Sequence, residues 1–190
     1  MLRYYIAIHP FLPFLPHSKG ALALQLQSST SELRESFLAA LGGFPRKAWV
    51  LLNVELDETH GFTRAENLLA VQILLLITID ASNTGPEGSQ LAKRALATAA
   101  ATAAEASLHI NMCGESMIAM SDEETDELMA RRIWWSLVVL DRFTASSTDS
   151  ARLVDDMATT MLPIERRIVG KDLHHMYGAL VEQPPIQASD

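Results

Sequence analysis

The chain has 190 residues, of which 48% are hydrophobic, 20% charged and 6% aromatic. This length predicts one domain, and the apolar fraction excludes intrinsic disorder. The 23 acidic residues outnumber the 15 basic ones, which gives a formal net charge of -8. Because a module that binds duplex DNA needs a basic face, this balance argues against direct contact with nucleic acid. The single cysteine, Cys113, excludes an internal disulfide framework.

The chain contains no segment typical of membrane insertion. Its N-terminus lacks the pattern of a secretory signal, since prolines interrupt the apolar run that follows Arg3. The most apolar stretch, residues 68–79, is too short to cross a bilayer. We therefore expect a soluble, intracellular protein without a membrane partner.

The N-terminal residues predict a short helix followed by an extended crossing. Residues 2–8 form the helix, which His9 and Pro10 end. Pro13 and Pro16 then interrupt an apolar run. Because proline lacks a backbone N–H group and restricts the residue before it, we expect this segment to lie extended in a groove between helices.

Three capping boxes of the form Ser/Thr-x-x-Glu predict helix starts at residues 29–32, 63–66 and 121–124. The first box precedes an apolar stripe at helical spacing that ends at Gly42 and Gly43. The stripe consists of Leu33, Phe37, Leu38 and Leu41. The next segment, 46–57, favours a short buried helix, although the alternation near its end leaves a strand open.

The middle of the chain predicts the centre of the fold. Residues 68–79 are apolar on every side, apart from Gln72 and Thr78, so other elements should surround this helix. After a turn over 82–88, the alanine-rich run 89–109 predicts a tightly packed internal helix. Alanine has the highest helix propensity, and its small side chain lets neighbouring backbones approach closely.

The third box begins the last strong helix. Residues 133–140 should be buried nearly all round, and Phe143 extends the apolar side. Asp141 follows directly, so we expect a partly buried carboxylate in a structural ion pair. The nearby basic candidates are Arg131, Arg132 and Arg142. One more helix is expected within 164–180.

Short loops and little period-two patterning predict an all-α fold of about six to seven helices without a substantial sheet. One domain is expected over residues 1–180, followed by a polar, proline-containing tail over 181–190.

The sequence offers no motif for catalysis, for metal binding or for a phosphate loop. None of the six histidines has convincing ligand spacing. His174 and His175 would point about 100° apart on a helix. His9 and His17, in the proline-rich stretch, are expected to be solvated or to cap helix ends. We therefore expect no catalytic residue, no metal and no cofactor in this chain.

The segment 121–142 combines an acidic turn, paired arginines, paired tryptophans and an apolar run that ends in Asp-Arg. This order resembles the signature helix of fungal-specific transcription factor domains. The motif positions are Arg131, Arg132, Trp134, Trp135, Asp141 and Arg142, and we expect a structural role for them. Weaker landmarks follow the family's order at 4–15, 71–76, 108–109 and 155–163.

The resemblance implies an all-helical regulatory domain of a nuclear transcription factor that does not itself contact DNA. The family usually joins this domain to an N-terminal six-cysteine zinc cluster. One cysteine cannot form that cluster, so zinc is expected only outside this chain. The Gly-Arg-Pro often seen after the signature helix is replaced at 147–151. The chain also stops where such domains usually continue, so we expect a domain that is truncated or a fragment.

Three functions stay open at this point. The leading hypothesis is a regulatory domain that responds to a protein partner, to self-association or to a small-molecule effector. The second is a helical interaction scaffold without a zinc cluster that pairs with related regulators. The third is a small helical enzyme that uses Cys113 or the pair His174 and His175. The leading hypothesis requires that both tryptophans lie in the core of a helical bundle.

Overall fold

The computed structural model describes residues 4–58, 61–108, 126–148 and 151–154. These residues form one π-helical turn and six α-helices and contain no strand, which confirms the all-α prediction. The π-helical turn comprises Tyr4–Ile8. The α-helices, numbered α1 to α6, are Lys19–Gln27, Ser31–Leu41, Pro45–Glu58, Arg64–Ser82, Pro86–Glu105 and Asp126–Thr148.

Helix α1 was not predicted from the sequence, because its leucines repeat every two residues rather than at helical spacing. These are Leu22, Leu24 and Leu26, of which Leu22 is buried and Leu24 is exposed. Its N-cap is Ser18, whose hydroxyl accepts a hydrogen bond from the Ala21 N–H at 3.0 Å. The N-cap is therefore its clearest local signal.

Of the three predicted capping boxes, one is confirmed, one is wrong and one lies outside the described residues. At the start of α4 the capping box is complete, since Thr63 and Glu66 each accept a hydrogen bond from the other's backbone N–H. The box predicted at Ser29 is wrong. The N-cap of α2 is Thr30, whose hydroxyl accepts from the Leu33 N–H at 3.3 Å. The box predicted over 121–124 lies outside the described residues.

Helices α2 and α3 pack against each other and against α4. The buried Ser36 hydroxyl joins the two by donating to the Ala48 carbonyl at 2.8 Å. The apolar stripe predicted on α2 is right for Leu33 and Phe37, which are fully buried, but wrong for Leu38, which is exposed. Residues 46–57 are helical, so the strand alternative is wrong.

Helix α4 is the centre of the fold, as its composition predicted. It contacts α2, α3, α5 and α6 and buries every side chain from Leu68 to Thr78. Among the described residues α4 is also the one helix long and apolar enough, by composition, to cross a membrane. Most of its apolar stretch, 67%, is buried inside the fold. The apolar composition of α4 is therefore explained by its position at the centre of the core.

Helix α5 packs closely on α4 through small residues. Ala95, Ala99 and Ala103 are fully buried, whereas Ala97 and Ala101 are exposed, so the helix is buried on one side rather than enclosed. At its start, a Cβ atom on Gly88 would lie 2.0 Å from Thr84 Oγ1 and 2.2 Å from the Ala81 carbonyl oxygen. Glycine is therefore required where the two helices meet.

Helix α6 contacts both α4 and α5. Trp134 and Trp135 are only 6% and 7% exposed, so both tryptophans lie in the core, as the leading hypothesis requires. The expected extension of the apolar side to Phe143 is wrong, because that ring is 68% exposed.

Candidate functional site

The segment of residues 9–17, which we call the N-terminal strap, begins with a hydrogen-bonded turn at residues 9–11 rather than with the extended chain expected there. Two tyrosines of the π-helical turn hold it in place. The Tyr4 hydroxyl donates to the Leu12 carbonyl at 2.8 Å and accepts from the Leu15 N–H at 3.2 Å. The Tyr5 hydroxyl donates to the Pro16 carbonyl at 2.8 Å. The strap therefore folds back over the turn that precedes it.

The strap also reaches the centre of the fold. Phe14 and Leu15 are fully buried, which confirms the expected apolar crossing. The buried Gln72 amide of α4 donates to the Phe14 carbonyl at 2.8 Å, and its oxygen accepts from Gln25 Nε2 of α1 at 3.0 Å. Because a buried carbonyl without a partner is costly, this contact explains a polar residue within an otherwise apolar helix.

Two histidines meet within the strap. His9 Nε2 and His17 Nδ1 are 2.7 Å apart, so one of these nitrogens carries the hydrogen that the other accepts. The His9 ring centroid lies 5.6 Å from that of Tyr4 and 5.1 Å from that of Tyr5. His17 is exposed, as expected of a solvated histidine, whereas His9 is half-buried against both tyrosines, so the expectation is wrong for His9.

Electrostatics link this cluster to α6. Burial lowers the pKa of His9 to about 4, and the positive charges of His17 and Arg132 act in the same direction. Burial raises the pKa of Tyr4 far above its ordinary value. The charge of the buried Arg132 thus acts on both rings. At neutral pH His9 is uncharged, and Arg132 is the permanent positive charge of the cluster.

Asp141 holds the chain that follows α6. Its carboxylate is 2% exposed and accepts hydrogen bonds from the Leu153 N–H at 3.0 Å and the Val154 N–H at 3.0 Å. The predicted arginine ion pair is therefore wrong, since the partners of this carboxylate are backbone amides. Neutralising it would leave these amides without an anionic acceptor.

The six motif positions thus fall into separate environments. The charge of Arg132 acts on His9 and Tyr4, Asp141 binds the backbone at 153–154, and the tryptophans lie in the core. Arg142 is buried as well, and Arg131 is half-buried. Arg132 is the position that brings the motif to a cluster of titratable side chains.

Contacts between distant parts of the chain could not be predicted from spacing. Arg64, at the start of α4, forms an ion pair with Glu127 of α6 at 2.9 Å. The Thr30 hydroxyl donates to the buried Glu55 of α3 at 2.9 Å. Neither pair has a local signature, because their members lie 63 and 25 residues apart.

The described residues contain no group of three or more His, Cys, Asp or Glu side chains that could hold a metal ion. Cys113, His174 and His175 lie outside the described residues, as do the helix predicted within 164–180 and the tail over 181–190.

The chain is similar to an uncharacterized transcriptional regulatory protein of Schizosaccharomyces pombe. The two are 29% identical over 189 residues, which cover 88% of this chain and 22% of that protein. No family model matches the chain, and no solved structure matches it. This similarity agrees with the resemblance of residues 121–142 at the level of transcriptional regulation.

Proposed function

We propose that this chain is a regulatory domain of a fungal transcription factor that acts in the nucleus through a partner or effector and does not itself bind DNA. The observation that carries the proposal is the convergence of three landmarks of the family resemblance. The strap contacts α4 through Gln72, which belongs to the landmark at 71–76, and the positive charge of Arg132 in the signature helix α6 acts on His9 of the strap. The similarity to a transcriptional regulatory protein also supports it.

Two landmarks of the resemblance that are far apart in sequence are in contact in the fold, which supports the proposal. Phe14 and Gln72 are 58 residues apart and form one buried hydrogen bond. A few specific hydrogen bonds hold the backbone of the strap, so an effector or partner that competes for them would change its packing. A ligand or partner then shifts this packing only by binding the two packings with different affinities.

The proposal is tested by measuring whether this chain confers regulation on unrelated domains. The full chain is inserted between an unrelated DNA-binding domain and an unrelated activation domain, and reporter output is measured in a fungal host. We expect output to differ severalfold from that of a fusion carrying an inert helical protein of equal length. Output equal to that of the inert fusion would contradict the proposal.

A strap variant makes this test specific. Gln72→Leu removes the contact between α4 and the Phe14 carbonyl and should change reporter output. Thr78→Val is the matched control, because Thr78 is buried in the same helix but donates only to the Leu74 carbonyl of its own helix. DNA binding by the isolated chain in a mobility-shift assay would contradict the non-DNA-binding part of the proposal.

The scaffold function has support from a specific observation, the apolar side chains exposed on α2, α3 and α6. These are Leu38, Val50, Val54 and Phe143. Val50 and Val54 lie four residues apart and so share one face of α3. If the chain associates with a second copy through that face, replacing both valines by serine will shift sedimentation velocity toward the monomer. A wild-type chain that sediments as a monomer at every concentration tested would contradict self-association through this face.

A further inference from the structure

A surface cleft of about 420 Å³ lies between the α2–α3 turn and the start of α5. This volume falls within the range of roughly 300–1,000 Å³ typical of small-ligand sites. The side chains and glycines that shape it are Gly43, Phe44, Arg46, Lys47, Gly88 and Leu91. The cleft is separate from the N-terminal strap and from every motif position described above.

The walls of the cleft suit a flat apolar group. The Phe44 ring is 63% exposed, although an aromatic side chain gains free energy by leaving water. Leu91 also lines the cleft and is half-buried, and Gly43 contributes no side chain to fill it. A planar ring could therefore pack against Phe44 and Leu91 without displacing the fold.

The charged side chains that line the cleft are both positive, Arg46 and Lys47. This is a local reversal in a chain whose net charge is -8. The neighbouring carboxylates belong to Glu87 and Asp80, and neither lines the cleft. The first turns of α3 and α5 also begin here, and first-turn N–H groups favour a negative charge.

One of these carboxylates would compete with a ligand. Glu87 of α5 forms an ion pair with Arg46 of α3. Both side chains are largely exposed, so the pair contributes little to stability and is easily exchanged. An anionic ligand would replace Glu87 as the partner of Arg46, which means that Glu87 lowers the affinity of the cleft for anions.

We propose that this cleft binds a small organic anion with a flat apolar group, of the aromatic carboxylate or sulfonate class. The apolar group packs between Phe44 and Leu91, and the anionic group binds Arg46 and Lys47. The proposal names the class of effector for the regulatory function above and depends on that function for its biological role. Binding itself is measured on the pure protein, so its failure is distinguishable from failure of the reporter experiment.

The test uses the full chain and a matched pair of fluorescent probes. Anilinonaphthalene sulfonate carries the anionic group, and N-phenylnaphthylamine has the same ring system without it. The variant Arg46→Gln/Lys47→Gln removes both cations of the cleft. The control Lys93→Gln/Arg94→Gln removes two adjacent cations from α5, outside the residues that line the cleft.

We expect one saturable sulfonate site whose affinity falls about tenfold in the Arg46/Lys47 variant, because two ion pairs of ordinary strength are lost. The control should stay within about twofold, and the neutral probe should not distinguish the two variants. Equal losses in both variants, equally tight binding of the neutral probe, or no saturable site would each overturn the proposal.

A third variant keeps the proposal falsifiable if removal of the two cations destabilises the fold. Glu87→Gln leaves every apolar contact in place and removes the competing carboxylate. It should tighten sulfonate binding severalfold and leave the neutral probe unchanged. Unchanged or weaker sulfonate binding in this variant would overturn the proposal on its own.

Discussion

The α4–α5 interface and the N-terminal strap are both buried, but different forces hold them. Between α4 and α5, small side chains such as Ala95 and Ala99 let two backbones approach, and apolar burial supplies the free energy. The strap places Phe14 and Leu15 in the core, but its backbone is held by hydrogen bonds with the side chains of Tyr4 and Gln72. The stability of the interface therefore depends on side-chain volume. The stability of the strap depends instead on its polar side chains and on their protonation.

The largest effect is expected from Gly88→Ala. The new Cβ atom would overlap Thr84 Oγ1 and the Ala81 carbonyl oxygen, so the turn between α4 and α5 must shift. Overpacking of this kind lowers the free energy of unfolding by about 3 kcal/mol. Urea denaturation followed by circular dichroism measures the loss.

Gly20→Ala is the matched control for this substitution. Gly20 also lies in the first turn of a helix, but its Cβ atom would find no atom nearer than 3.9 Å. We expect unchanged or slightly higher stability, because alanine is the better helix former. If both variants unfold at the same urea concentration, close approach of α4 and α5 does not depend on Gly88.

The next effect in size concerns Asp141. Asp141→Ala leaves the buried Val154 N–H and the Leu153 N–H without their acceptor and should lower the free energy of unfolding by about 2 kcal/mol. Asp141→Asn keeps one carbonyl oxygen as an acceptor and should lose less. Urea denaturation measures the free energy of unfolding of both variants. Equal losses would show that the hydrogen bonds accepted by Asp141 do not determine its contribution to stability.

Gln72→Leu tests the link between the strap and α4. The leucine side chain is similar in size to that of Gln72. It removes the donor to the Phe14 carbonyl and the acceptor for Gln25. We expect a loss of about 1.5 kcal/mol, since buried partners are left unsatisfied. The control Thr78→Val should cost less, because its hydroxyl bonds only to a carbonyl of its own helix. Thermal unfolding of the two variants measures this difference in stability, and equal losses would contradict a specific role for Gln72.

Local signals were enough to predict most helices but not the contacts between them. The Thr63 capping box and the apolar run around Leu74 each depend on residues close in sequence, and both were predicted correctly. The start of α2 was misplaced by one residue, because Ser29 is a favourable N-cap and Glu32 completes a capping-box pattern with it, whereas the N-cap in the structure is Thr30.

The candidate site depends on long-range geometry that spacing does not encode. Asp141 was expected to pair with an arginine, because the sequence shows nearby charges but not the backbone amides that return from residues 153 and 154. The pairing of His9 with His17 requires the strap to turn back on itself. The effect of the Arg132 charge on His9 depends on where the fold places α6, which no local pattern specifies.

The smallest effect is a dependence of strap stability on pH. His9 has a pKa of about 4 in the folded chain, below its ordinary value of 6.5, because it is partly buried near His17 and Arg132. Between these two values the unfolded chain binds more protons than the folded chain, so stability falls as the pH falls from 6.5 toward 4. Solvent screening reduces the effect, since His9 is only half-buried.

The variant His9→Phe removes the group that titrates and keeps a ring between the tyrosines. Melting temperatures are measured for both proteins from pH 7 to pH 4, and acid titration of the carboxylates acts equally on the two. We expect the wild-type chain to lose more stability than the variant across this range, and the difference to grow below pH 6.5. Parallel curves would mean that protonation of His9 does not govern the strap, which would leave the core contacts of Phe14 and Leu15 as its main support.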